Sequence, residues 1–119
     1  MAAGIYNFTI EQGATFTRQF RYKDANGDPI DLSSHGARME IKDKIGGTRV
    51  TGGFFSTTSD GINITDTNLI TLTIPSTTTE AFNFNTAVYD IEIFTSTTVI
   101  RLLQGKIKLS KEVTTTDSQ

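Results

Sequence analysis

The stretch from Ala87 to Thr114 reads AVYDIEIFTSTTVIRLLQGKIKLSKEVT, and it constrains the fold more than any other part of the chain. Tyr89, Ile91 and Ile93 alternate with Asp90 and Glu92, so one face of an extended strand is apolar and the other is charged. Thr95 to Thr98 supply a turn, and a second strand from Val99 to Leu109 returns with an alternation of its own. The returning strand changes phase: Ile100 and Leu102 fall on even positions, Ile107 and Leu109 on odd ones. One extra residue restores the phase, and the glycine predicts a β-bulge at Gln104-Gly105.

Upstream, the same period-two pattern recurs in short pieces. Ile5 to Ile10 reads as a first strand with Tyr6, Phe8 and Ile10 on one face. Thr15 to Tyr22 reads as a second, in which Arg18 shares a face with Phe16, Phe20 and Tyr22 and lays its stem along them. Asp24-Ala25-Asn26-Gly27-Asp28-Pro29 is the clearest turn. Ala37, Met39 and Ile41 alternate with Arg38, Glu40 and Lys42 to give a charged-out strand. Between Asp43 and Phe55 two glycine pairs flank Val50, which suits a short or irregular edge strand. Ile62 to Ile64 and Leu69 to Ile74 complete the strands, and Pro75 closes the last of them. Thr77 and Glu80 stand in capping-box spacing, so a helix of one or two turns is expected over Ser76 to Phe82. The sum is an all-β, antiparallel β-sandwich of about seven or eight short strands with one short helix.

At 119 residues the chain makes one domain, residues 1–119, with a polar C-terminal tail from about Thr114. The net charge of −2 argues against nucleic acid as a partner. With no cysteine there is no disulfide framework and no thiolate chemistry. No apolar run approaches a membrane span, and MAAGIYNFTI lacks the basic and apolar regions of a signal peptide. Without secretion, the glycosylation patterns at Asn7 and Asn63 carry no weight.

Each constellation that could carry chemistry has a plainer reading. Asp24, Asn26 and Asp28 offer oxygens at alternate positions, but the glycine falls fourth where a calcium loop needs it sixth, so they read as turn residues. Asp90 and Glu92 project from one face of a strand without any motif of acid–base catalysis around them. His35 is the single histidine, near a turn at Ser33 to Gly36, and no nucleophile motif surrounds any hydroxyl. No catalytic, cofactor or metal residue is assigned, and no small-molecule substrate is expected.

What remains is surface. Candidate contact residues are Ile5, Tyr6, Asn7 and Phe8 at the N-terminus, Lys111, Glu112, Val113 and Thr114 near the C-terminus, and the Phe54-Phe55 pair, which reads rather better as core. Unpaired sheet edges offer a second route to a neighbouring chain.

Three motifs together resemble small structural proteins of tailed bacteriophages, including the N-terminal β-sandwich module of upper baseplate proteins. The first is IEQGATFTRQFRYKDANGDPIDLSS, with Pro29, Ile30, Asp31, Leu32 and Ser33 in the place of a proline-hydrophobe-Asp-Leu-Ser/Thr signature. The second is ARMEIKD followed by LITLTIPSTTTEAF, and the third is the closing hairpin, with Tyr89, Asp90, Gly105 and Glu112-Val113-Thr114. The resemblance implies a non-enzymatic virion protein, made in the host cytoplasm and not secreted, that works in a multi-copy assembly by binding other phage structural proteins. Such modules usually precede coiled-coil or receptor-binding segments, so a chain of this length is expected to be a free-standing tail, neck or baseplate subunit. The alternatives are a capsid cement protein and a carbohydrate-binding adhesion module, the latter using Phe54, Phe55 and Phe94.

Overall fold

The structure, a computed structural model, describes residues 4–58 and 60–113. Among these residues the strands are β1 (Gly4–Ile5), β2 (Phe8–Glu11), β3 (Phe16–Arg21), β4 (Gly36–Lys42), β5 (Arg49–Ser56), β6 (Ile62–Thr65), β7 (Leu69–Ile74), β8 (Thr86–Phe94) and β9 (Val99–Ser110), with one helix, α1 (Ser76–Ala81). They form two sheets that pack as a sandwich without closing into a barrel. The larger sheet runs β9, β8, β4, β5, with β1 and β2 both laid along the outer side of β9. The smaller runs β3, β7, β6.

Alternation is what makes this arrangement close. In β4 and β8 every second residue is buried: Ala37, Met39 and Ile41 in one strand, Ala87, Tyr89, Ile91 and Ile93 in the other. From the opposite sheet, Phe16, Ile62, Ile70, Leu72 and Ile74 meet them, and Leu32, Phe82 and Phe84 seal the ends from loops. Burying about 20 such side chains at roughly 1.5–3 kcal/mol each is the dominant force holding the two layers together.

The expected first strand is divided. β1 and β2 keep one continuous parallel register on β9, Gly4 against Leu103, Ile5 against Gln104 and Phe8 against Ile107, and the pairing is interrupted after the Tyr6 amide, which still donates to the Gln104 carbonyl at 3.0 Å. The Tyr6 carbonyl accepts the Tyr89 hydroxyl at 2.6 Å, and the Asn7 side-chain oxygen accepts the Lys106 amide at 2.8 Å. Apart from this parallel edge, every strand pairing is antiparallel.

The bulge is also displaced from its expected place. Ile91 pairs with Leu103 and Glu92 with Arg101, which leaves Leu102 as the extra residue; Gly105 stays in register opposite Tyr89. Gly105 is needed for another reason: a Cβ there would collide with the Tyr6 carbonyl. The phase change therefore falls at Leu102 and Leu103, both half-buried, where either side chain can be accommodated.

The turns follow local chemistry. Asp24 Oδ1 accepts the amides of Asn26 at 2.9 Å and Asp28 at 3.0 Å, and Gly27 takes φ of 85°. The capping box does not form; Pro75 stands at the N-cap of α1 with no side-chain cap. The helix is fixed instead by the buried Thr79, whose hydroxyl donates to the Ala14 carbonyl at 2.8 Å and accepts the Gly13 amide at 3.0 Å. Gln12 extends this junction, donating to the Phe82 carbonyl at 2.9 Å and accepting the Glu112 amide at 3.1 Å.

Candidate interaction face

Because β4, β8 and β9 bury one side, their other side chains form the outer face of the large sheet in cross-strand rows. One row is Arg38, Glu92 and Arg101; the next is Phe54, Glu40, Asp90 and Gln104; the third is Arg49, Lys42, Val88 and Lys106. The register places Glu40 directly against Asp90, a like-charge pair that is unfavourable alone. Guanidiniums offset it. Arg49 Nε lies 2.7 Å from Glu40, Arg101 Nε 3.5 Å from Asp90, and Arg38 Nε 2.8 Å from Glu92.

Each of these pairs is partly exposed, so each contributes only about 0–1 kcal/mol to stability. Their larger effect is to hold side chains in place. The guanidiniums of Arg38 and Arg49 also lie over the Phe94 and Phe54 rings, each at 4.7 Å from the centroid. Partial burial raises the Asp90 carboxyl above its ordinary value, with Glu92 adding to the shift and Arg101 opposing it.

A groove of about 550 Å³ opens on this face. Lys42, Val88, Asp90 and Lys106 line it, together with two aliphatic side chains that stand open to solvent. Ile5, from β1, is 76% exposed, and Ile45, from the loop between β4 and β5, is 90% exposed. Large aliphatic groups left this open beside a concave, mostly apolar surface are what a contact surface needs.

The sequence-derived contact residues are distributed unevenly around this groove. Ile5 and Asn7 line it, whereas Tyr6, 37% exposed, does not and turns its ring against Phe8 and Phe20. Phe8 does not belong to the surface; it is core, stacked on Phe16 at 5.1 Å and packed on Tyr89 at 5.0 Å. The Phe54-Phe55 pair separates, because neighbours on a strand face opposite ways: Phe55 is buried and Phe54 sits outside under Arg49. Both being core is thereby corrected.

Near the C-terminus, Lys111 and Val113 are exposed, Glu112 is half-buried against Gly13, and Thr114 lies outside the described residues. The residues that sequence reading missed are Ile45, Lys42, Val88 and Lys106. Ile45 left a signal, an isolated aliphatic residue in the polar segment Asp43-Lys44-Ile45-Gly46-Gly47.

The groups considered for chemistry are not assembled. Asp90 lines the groove, whereas Glu92 is engaged by Arg38. His35 stands apart in the turn before β4, its amide donating to the Leu32 carbonyl at 2.9 Å. Among the described residues no three His, Asp or Glu side chains cluster as metal ligands, and no helix is long and apolar enough to cross a membrane.

Fold and face together define a β-sandwich domain that presents an ion-paired sheet surface with one open, aliphatic-rimmed groove. The chain matches no protein-family model, and no curated protein is found to be similar to it.

Proposed function

We propose that this chain is a non-enzymatic structural subunit of a tailed-phage virion, placed in the tail, baseplate or neck, and that it works by docking neighbouring subunits on the outer face of its large sheet. The observation that carries the reading is the groove between Ile5 and Ile45, two aliphatic side chains exposed by 76% and 90% beside a face whose arginines are already held by carboxylates and aromatic rings. Such a surface offers a partner apolar area to cover and a pre-ordered polar surround. The motif resemblance to baseplate modules supplies the setting. An adhesion module is less well supported, because Phe55 is buried and the Phe54 and Phe94 rings each carry a guanidinium where a sugar would stack.

The test is lysine cross-linking followed by mass spectrometry on assembled particles purified from cells that produce the chain. Cross-links from Lys42, Lys44 or Lys106 to a neighbouring virion protein are expected. Recovery of the chain only outside particles would remove the reading.

A further inference from the structure

We infer that the groove takes an acidic segment of a neighbouring protein, with one carboxylate held between Lys42 and Lys106 and flanking aliphatic side chains laid against Ile5 and Ile45. This rests on the docking role proposed above and adds the chemistry of the partner.

Most charges around the groove are already paired, and two are left over. Glu40 is paired with Arg49, and Asp90 with Arg101. Among the described residues, neither Lys42 nor Lys106 has a carboxylate within 4.0 Å. Lys42 does act on Asp90, but as the weakest of the influences on that carboxyl. The unpaired charge of the groove is therefore positive, although the chain as a whole carries −2.

The register sets the geometry. Lys42, Val88 and Lys106 lie side by side on β4, β8 and β9, so the two lysine Cα atoms stand about 10 Å apart, two interstrand spacings. Lysine stems are long and flexible enough for both ammonium groups to converge on one carboxylate above Val88. The small apolar side chain between them leaves that space open and offers a floor for the acid's methylene groups. The Lys106 amide is already bound to Asn7, which steadies the backbone of β9 at this point.

The proposal is tested by titrating the isotope-labelled full chain with a capped pentapeptide of alternating leucine and glutamate, and with its glutamine counterpart. Shifts are expected at Ile5, Ile45 and Val88, with binding at least tenfold weaker for the glutamine peptide, for Lys42→Gln/Lys106→Gln, and in high salt. Equal binding of both peptides, shifts located elsewhere, or tighter binding of a short oligothymidylate would overturn it. Two variants in particle-incorporation assays separate this claim from the one beneath it. Loss of incorporation in Ile5→Asp/Ile45→Asp with full incorporation of Lys42→Gln/Lys106→Gln would keep the docking face and reject the acidic partner. Full incorporation of both variants would reject both.

Discussion

The Tyr89 hydroxyl donates to the Tyr6 carbonyl at 2.6 Å, across the one position, Gly105, where β9 has no side chain to obstruct it. The contact ties the N-terminal edge to the middle of the large sheet, beside the parallel ladder on β9, the Asn7–Lys106 hydrogen bond and the packing of Tyr6, Phe8 and Ile10. Burial keeps the Tyr89 phenol protonated well above its ordinary range, so the donor is present at every working pH.

Tyr89→Phe removes this donor and leaves the ring in place. The expected cost is about 1–2 kcal/mol, the range for a lost hydrogen bond whose acceptor remains partly desolvated. Urea denaturation measures the total, and faster amide exchange at Tyr6 and Lys106 locates the loss at the N-terminal edge. Unchanged exchange at both amides would show that the ladder alone holds β1.

Gly105→Ala acts on the same junction from the other strand. A methyl group there collides with the Tyr6 carbonyl, so the expected destabilisation is about 1–3 kcal/mol, as for an overpacked site. At Gly27, where nothing lies within 4 Å of an added Cβ, alanine meets only the strain of φ 85°, about 1–2 kcal/mol, and leaves exchange at Tyr6 unaltered. A bulge centred on Gly105 would predict no such coupling to Tyr6.

Thr79→Val keeps the shape of a fully buried side chain and deletes its hydroxyl. The Ala14 carbonyl and the Gly13 amide then lose their partner, and a cost of about 2–3 kcal/mol is expected. Thermal unfolding reads it. Thr77→Ala, which removes the supposed capping-box hydroxyl, is expected to change stability by less than about 0.5 kcal/mol, because no side-chain cap is formed.

Asp90 contributes a pH dependence opposite to that of an ordinary ion-paired carboxylate. Its carboxyl has the ordinary 3.8 as its unfolded reference and titrates higher when folded, so between those values the folded state binds more protons there and this group's contribution to stability falls as pH rises. Asp90→Asn is accordingly more stable than the parent at neutral pH. The gain is at most about 1 kcal/mol, since the side chain is 36% exposed and solvent screens it. Well below pH 3.8 the difference vanishes, because the parent carboxyl is then neutral in both states. Urea midpoints on either side of that value check the sign.

Much of the layout was legible in the sequence because strand alternation and turn chemistry are local. The hairpin of β8 and β9, the Asx turn at Asp24 and the irregular edge before Phe55 need only neighbours in the chain to be specified. The expected capping box illustrates the limit of such reasoning. Thr77 and Glu80 have the right spacing, yet Pro75 occupies the cap and a different threonine, Thr79, holds the helix through partners more than sixty residues away.

By itself, then, the sequence determined that the chain is a two-faced β structure, which residues point inward along β4, β7 and β8, and where the turns fall, since period-two hydrophobicity and positive-φ glycines act within a few residues. Tertiary structure alone decided three things. It moved the bulge to Leu102, because the Tyr6 backbone needs Gly105 in register; it divided Phe54 from Phe55 between surface and core. It also brought Ile5, Ile45, Lys42 and Lys106 to one groove, which no local pattern encodes, because cross-strand register is fixed by how the whole sheet buries its other face.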